Sequence, residues 1–152
     1  MSCTLLIAAC EPARKPADPA ALTVASASDS ADVVEKILAS KSPLPSRLLE
    51  GHYTEFRRGA ASTGFDIGPV DYVSYVAAAV PPESIDAWIA RFKPLGSKPA
   101  FTAPACDCPW WVAIDQHDQL EFFEAGALSH RLRGWIGVSR RDAKIYLFDW
   151  TT

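Results

Sequence analysis

The sequence predicts an α+β fold: an antiparallel sheet of about five strands with two or three helices packed on one face. Three observations predict it. Apolar residues recur at helical spacing in two stretches, Val33-Val34-Ile37-Leu38 and Ile85-Trp88-Ile89-Phe92. Runs rich in β-branched and aromatic residues fill positions 70–79 and much of the chain after residue 109. Short polar connections join the later runs in pairs, as hairpins require.

The elements follow in chain order. Ser30 is placed to cap the first helix, and Pro43 and Pro45 end it. Between Arg47 and Arg58, Leu48, Leu49, Tyr53 and Phe56 can share a helical face that Gly51 interrupts, so a short helix and then an extended piece are expected. Residues 59–68 read as a loop, and Val70 to Ala79 as a strand without a breaker. The clearest helix is PESIDAWIARF, with Asp86, Arg91 and Lys93 opposite its apolar stripe; Pro82 suits its first turn, and Pro94 with Gly96 stops it. A loop with three prolines covers residues 98–109. WWVAID and QLEFFEA then flank a turn at Gln116-His117-Asp118, and RGWIGVS and KIYLFDW flank one at Arg140-Arg141-Asp142. No internal repeat stands out.

Composition bounds the class. The chain has 152 residues, 49% hydrophobic and 22% charged, which suits one domain plus a tail. Its net charge of −3 and its isolated basic pairs, Arg57-Arg58 and Arg140-Arg141, argue against a nucleic-acid partner. No run of 18 apolar residues is present to cross a membrane as a helix.

At the N-terminus, Ile7-Ala8-Ala9-Cys10 sets an aliphatic residue and two small ones before a cysteine. Residues 11–30 are rich in Pro, Ala and Ser without apolar periodicity, as a flexible tether would be. Twenty such residues span roughly 25 Å root-mean-square, enough to hold a domain off a bilayer. Residues 1–30 resemble the start of a bacterial lipoprotein. The resemblance implies a signal segment (1–10), a tether (11–30) and a single α+β domain (31–152). It also implies lipidation of Cys10 by a diacylglyceryl thioether and an N-acyl chain, and residence on the periplasmic face of a membrane; stable anchoring takes more than one acyl chain.

Candidate chemistry in the domain is sparse. Cys106 and Cys108 are expected to form a small structural disulfide or to stay as two idle thiols; a redox pair prefers Cys-x-x-Cys spacing. A zinc site would need Cys106, Cys108, His117 and a fourth ligand, and no second cysteine pair supplies one. Of His52, His117 and His130, His117 stands out between Asp115 and Asp118, because a carboxylate can orient an imidazole for base catalysis. No nucleophile elbow accompanies it, since Gly59-Ala60-Ala61-Ser62-Thr63-Gly64 has the wrong spacing, and no phosphate-cradling glycine motif occurs. The carboxylates Glu50, Glu55, Asp66, Asp71, Asp115, Glu121 and Glu124 form no recognisable pair in sequence. No metal or cofactor is expected.

The aromatic residues are the more informative feature, with four of the five tryptophans after residue 109. If Ile145 and Leu147 face the helices, a second face carries Trp111, Phe123, Tyr146, Phe148 and Trp150. An antiparallel sheet can leave one face to water, but that face is normally polar. Either Leu48, Leu49, Tyr53 and Phe56 fold across the rings, or the sheet curls around its own core, or a partner covers them, since Trp and Tyr dominate interface hot spots. The expected function is therefore contact with another envelope protein, by analogy with inhibitor or immunity-type proteins. The alternative is a small periplasmic enzyme, either a hydrolase using His117 with Asp115 or Asp118 or a redox protein using Cys106 and Cys108.

Overall fold

The computed structural model describes residues 22–58, 71–131 and 133–151. The chain is α+β, with a six-stranded antiparallel sheet rather than about five strands. The strands are β1 (Leu22–Ser28), β2 (Glu50–Arg58), β3 (Asp71–Ala79), β4 (Glu121–Glu124), β5 (Arg133–Ser139) and β6 (Lys144–Trp150). Their order across the sheet is β1-β2-β3-β6-β5-β4. Three short helices accompany them: α1 (Ala31–Ala39), α2 (Ile85–Ile89, entered through a 3-10 turn at Pro82–Ser84) and α3 (Ile114–His117). The lipobox-like residues, Cys10 and the loop expected over 59–68 lie outside the described residues.

Helices α1 and α2 cover one face. Val34 and Leu38 of α1 and Ile85 and Trp88 of α2 are buried against Val76, Ala78, Ile145 and Leu147. Each such side chain contributes roughly 1.5–3 kcal/mol through burial. Trp88 also needs a polar partner for its indole N–H and finds it in Ser46 Oγ at 2.9 Å. Gly51 lets α1 approach β2, because a Cβ there would sit 2.8 Å from the Cβ of Val34. The residue that breaks a helical reading of 47–58 is thus a strand residue beneath a helix, and β2 replaces the expected short helix.

The other face is covered by the chain itself. Residues 95–120 form a strap whose only regular element is α3. Leu95 N–H donates to the Phe122 carbonyl (2.9 Å), Tyr75 O–H to Ala103 (3.1 Å), and Trp111 Nε1–H to Thr102 (2.9 Å). Beneath the strap lie Phe56, Tyr75, Trp135, Tyr146 and Phe148, with Trp111 seated edge-on to Tyr75 at 5.1 Å. WWVAID is therefore no strand: Trp111 plugs the interior, and the chain turns into α3 behind it. The covering segment is 95–120, not residues 48–56.

Two further boundaries differ from expectation. Residues 22–28, grouped with the tether, pair with β2 as an edge strand. Their Thr, Ala and Ser side chains are mostly exposed and carry no alternating apolar signal, so composition alone gave them no strand character. The 116–118 segment ends α3 instead of turning a hairpin. No helix among the described residues is long and apolar enough to cross a membrane.

Candidate functional site

The main polar concentration lies on the helix-covered face, past the ends of the helices. Cross-strand register places Glu55 of β2 beside Ser74 of β3, and Ser74 beside Asp149 of β6. Period-2 alternation puts Ser74 in the row of Val76 and Asp149 in the row of Leu147, so polar groups continue two apolar rows. Asp149, Ser74 and Ser129 are buried at 5%, 4% and 6% exposure. Buried polar groups must be bonded, and these are. Arg131 reaches over the row: Nη1 donates to Asp149 Oδ1 at 2.9 Å and to Ser74 Oγ, while Nη2 donates to Glu55 Oε2. Ser129 Oγ donates to Asp149 Oδ2 and accepts the backbone N–H of Arg131 at 2.9 Å. The guanidinium also lies 5.8 Å from the Tyr72 ring centroid. Burial disfavours the Arg131 charge, but the Glu55 and Asp149 contacts outweigh it and hold the pKa above the ordinary arginine value.

The register explains Gly134 as well. It pairs with Asp149 at φ +134°, and a Cβ there would meet the Phe148 carbonyl oxygen. Only glycine fits beside the acid, and Arg131 arrives from the segment just before it.

Above this network a recess of about 210 Å³ opens between α1 and residues 128–131. Ile37 and Ser40 line one wall, Leu128 and His130 the other, and Val76 and Leu147 the apolar part of the floor. Two carboxylates thus flank a recess, but Arg131 occupies the space between them where the substrate of a two-carboxylate hydrolase would sit. A second recess of about 270 Å³ borders Trp88 and Phe92; its cations Lys41 and Arg91 are bonded to Ser129 O at 2.9 Å and to Ser42 Oγ at 2.7 Å.

The residues singled out in the sequence are dispersed. The His117 side chain is 2% exposed, and its ring is walled by Phe122 (4.8 Å), Phe101 (5.5 Å) and Trp135 (5.5 Å). Its Nε2 has no hydrogen-bond partner among the described residues, and its Nδ1 lies 3.8 Å from Asp118, which is paired with Lys98. Burial, reinforced by Lys98, lowers its pKa. His117 thus lies sealed among aromatics at the end of α3 and not in the hairpin turn expected for it. Asp115 lies in the first turn of α3 and is exposed.

The aromatic set does not form one outward face. Trp111, Tyr146 and Phe148 are buried under the strap, at 7%, 5% and 8% exposure. Trp150 is partly buried and stacks on Phe148 at 5.1 Å. Phe123 faces the other way: its partner across β4–β5 is Ile136, and it packs on Phe92 at 5.5 Å in the helix-side core. Four of the five rings are thus buried inside the protein, and Trp150 is partly exposed. Cys106 and Cys108 are joined as a disulfide with Cα atoms 5.4 Å apart. Among the described residues, no three His, Cys, Asp or Glu side chains assemble a metal site.

His52 occupies a different setting, on the strap side of β2. Its Nδ1 lies 2.7 Å from Asp29 Oδ1 and its Nε2 lies 2.7 Å from Glu50 Oε1. Its ring stacks on Trp110 of the strap at 5.5 Å and 5°. Comparison of the chain with protein families, with curated proteins and with solved structures finds no match.

Proposed function

We propose that this chain is a lipid-anchored protein of the bacterial envelope, held at the periplasmic face of a membrane through Cys10. We further propose that it acts by contact with another envelope protein, as an inhibitor or immunity-type protein does, and not by catalysis. The observation that supports the contact reading is the recess over Arg131. It is open, lined by both apolar and polar side chains, and braced by charges that are bonded to one another. Such a recess can receive a side chain without rearranging. Glu55, Ser74, Ser129 and Asp149 are bonded to Arg131 or to one another and so hold its shape, whereas a catalytic acid or base must be free to take or give a proton.

Two measurements test the reading. Fatty-acid labelling in cells should mark the wild-type chain and not Cys10→Ala; equal labelling of both, or of neither, overturns the anchor. A photo-crosslinking amino acid at Ser40 or at His130, on opposite walls of the recess, should capture one envelope protein. The same group at Asp107, on the opposite side of the sheet, should not. Capture from Asp107 alone, or from none of the three, overturns the recess as the contact surface.

A further inference from the structure

The two 2.7 Å contacts of His52 fix its protonation state by geometry. A neutral imidazole carries one N–H and can donate to only one of two carboxylates; at the other nitrogen, two lone pairs would face each other. The imidazolium alone satisfies both, and with charge assistance. Its ring then lies flat on Trp110, so the cation also faces an aromatic surface. One side chain thereby joins three parts of the molecule: the corner between β1 and α1 through Asp29, the start of β2 through Glu50, and the strap through Trp110.

We propose that His52 is a proton-operated clasp: when charged it fastens the strap and the β1–α1 corner to the sheet, and when neutral it releases one carboxylate and loosens its hold on Trp110.

The surroundings support this direction. Burial pushes the His52 pKa down, but the hydrogen bonds and charges of Asp29 and Glu50 outweigh it and raise the value above the ordinary one. Glu50 is lowered in turn, first by its bond to His52 and also by Lys144 of β6. Asp29, Glu50 and Lys144 are thus the charged groups that face the clasp; across the ladder, β3 presents Ala77. The His52 side chain is 19% exposed, so protons reach it from solvent. With the folded value raised, the clasp is closed below the unfolded histidine pKa, and its contribution is lost as pH rises through the folded value.

The test uses the full chain. In an NMR titration, His52, identified by loss of its signals in His52→Gln, should titrate above the ordinary histidine value. Asp29→Asn with Glu50→Gln should bring it down. Trp110 emission, taken as the difference between wild type and Trp110→Phe, should change with the same midpoint, and His52→Gln should abolish that change while its circular dichroism stays native. A midpoint at or below the ordinary value overturns the clasp. So does a midpoint unmoved by removing the two carboxylates, or a Trp110 response that persists without His52.

Discussion

The indole N–H of Trp111 donates to the carbonyl of Thr102 at 2.9 Å, so a side chain of the strap closes the strap upon itself above the sheet. The same ring packs against Tyr75, Tyr146 and Trp135 at 5.1, 5.6 and 5.7 Å. Trp111→Ala should therefore cost about 3–5 kcal/mol in folding stability. A thermal melt should show a fall of about 10 °C or more. A melt within a degree or two of wild type would contradict the packing described.

Arg131 and Asp149 should behave as a unit. Arg131→Met leaves the buried Asp149 without its cation and should destabilise by about 3–5 kcal/mol. Adding Asp149→Leu removes the stranded charge and should recover part of that loss, with a coupling of about 0.5–3 kcal/mol in a urea-unfolding cycle. Additive single effects would show that the two do not interact.

His117 sets an acid limit on stability. Its folded pKa is lowered by burial, so the unfolded chain takes up the proton first, near pH 6.5, as the solution is acidified. The stability associated with the neutral ring is complete above about pH 6.5 and falls as pH drops toward the lowered folded value. His117→Leu removes both the proton site and the unbonded Nε2, and should flatten that part of the stability–pH curve. Equal slopes for variant and wild type between about pH 6.5 and 5 would refute the assignment.

The Cys106–Cys108 bond should contribute little. Its ring encloses a single intervening residue, and the chain-entropy estimate for so short a loop is about 1.6 kcal/mol. Replacing both cysteines by serine should lower the urea midpoint slightly and leave near-ultraviolet circular dichroism native. Loss of the native aromatic signal would show that the bond, rather than Trp111, holds the strap.

Much of the sheet was legible because period-2 and period-3.6 patterns were strong there: α1, β3, α2 and the β5–β6 hairpin lie where the pattern sets them. Illegible elements had local signals of the wrong kind. Trp110-Trp111-Val112 carries high strand propensity, yet Trp111 serves as a plug. Glycine at position 51 breaks a helical pattern, yet serves close packing. The polar network was missed because its members lie far apart in sequence, from Glu55 to Asp149. One signal was available. Asp149 continues the apolar row of Ile145 and Leu147, and Ser74 the row of Val76, and a charge on the core side of a strand calls for a partner.

β6 lies between β3 and β5, so every ladder bond joining the β1-β2-β3 half of the sheet to the β5-β4 half runs through it. It also follows the other five strands of the sheet in chain order. A nascent chain that has not yet reached Lys144 holds two half-sheets with nothing between them. Joining them into one sheet therefore waits for Lys144–Trp150 to be made.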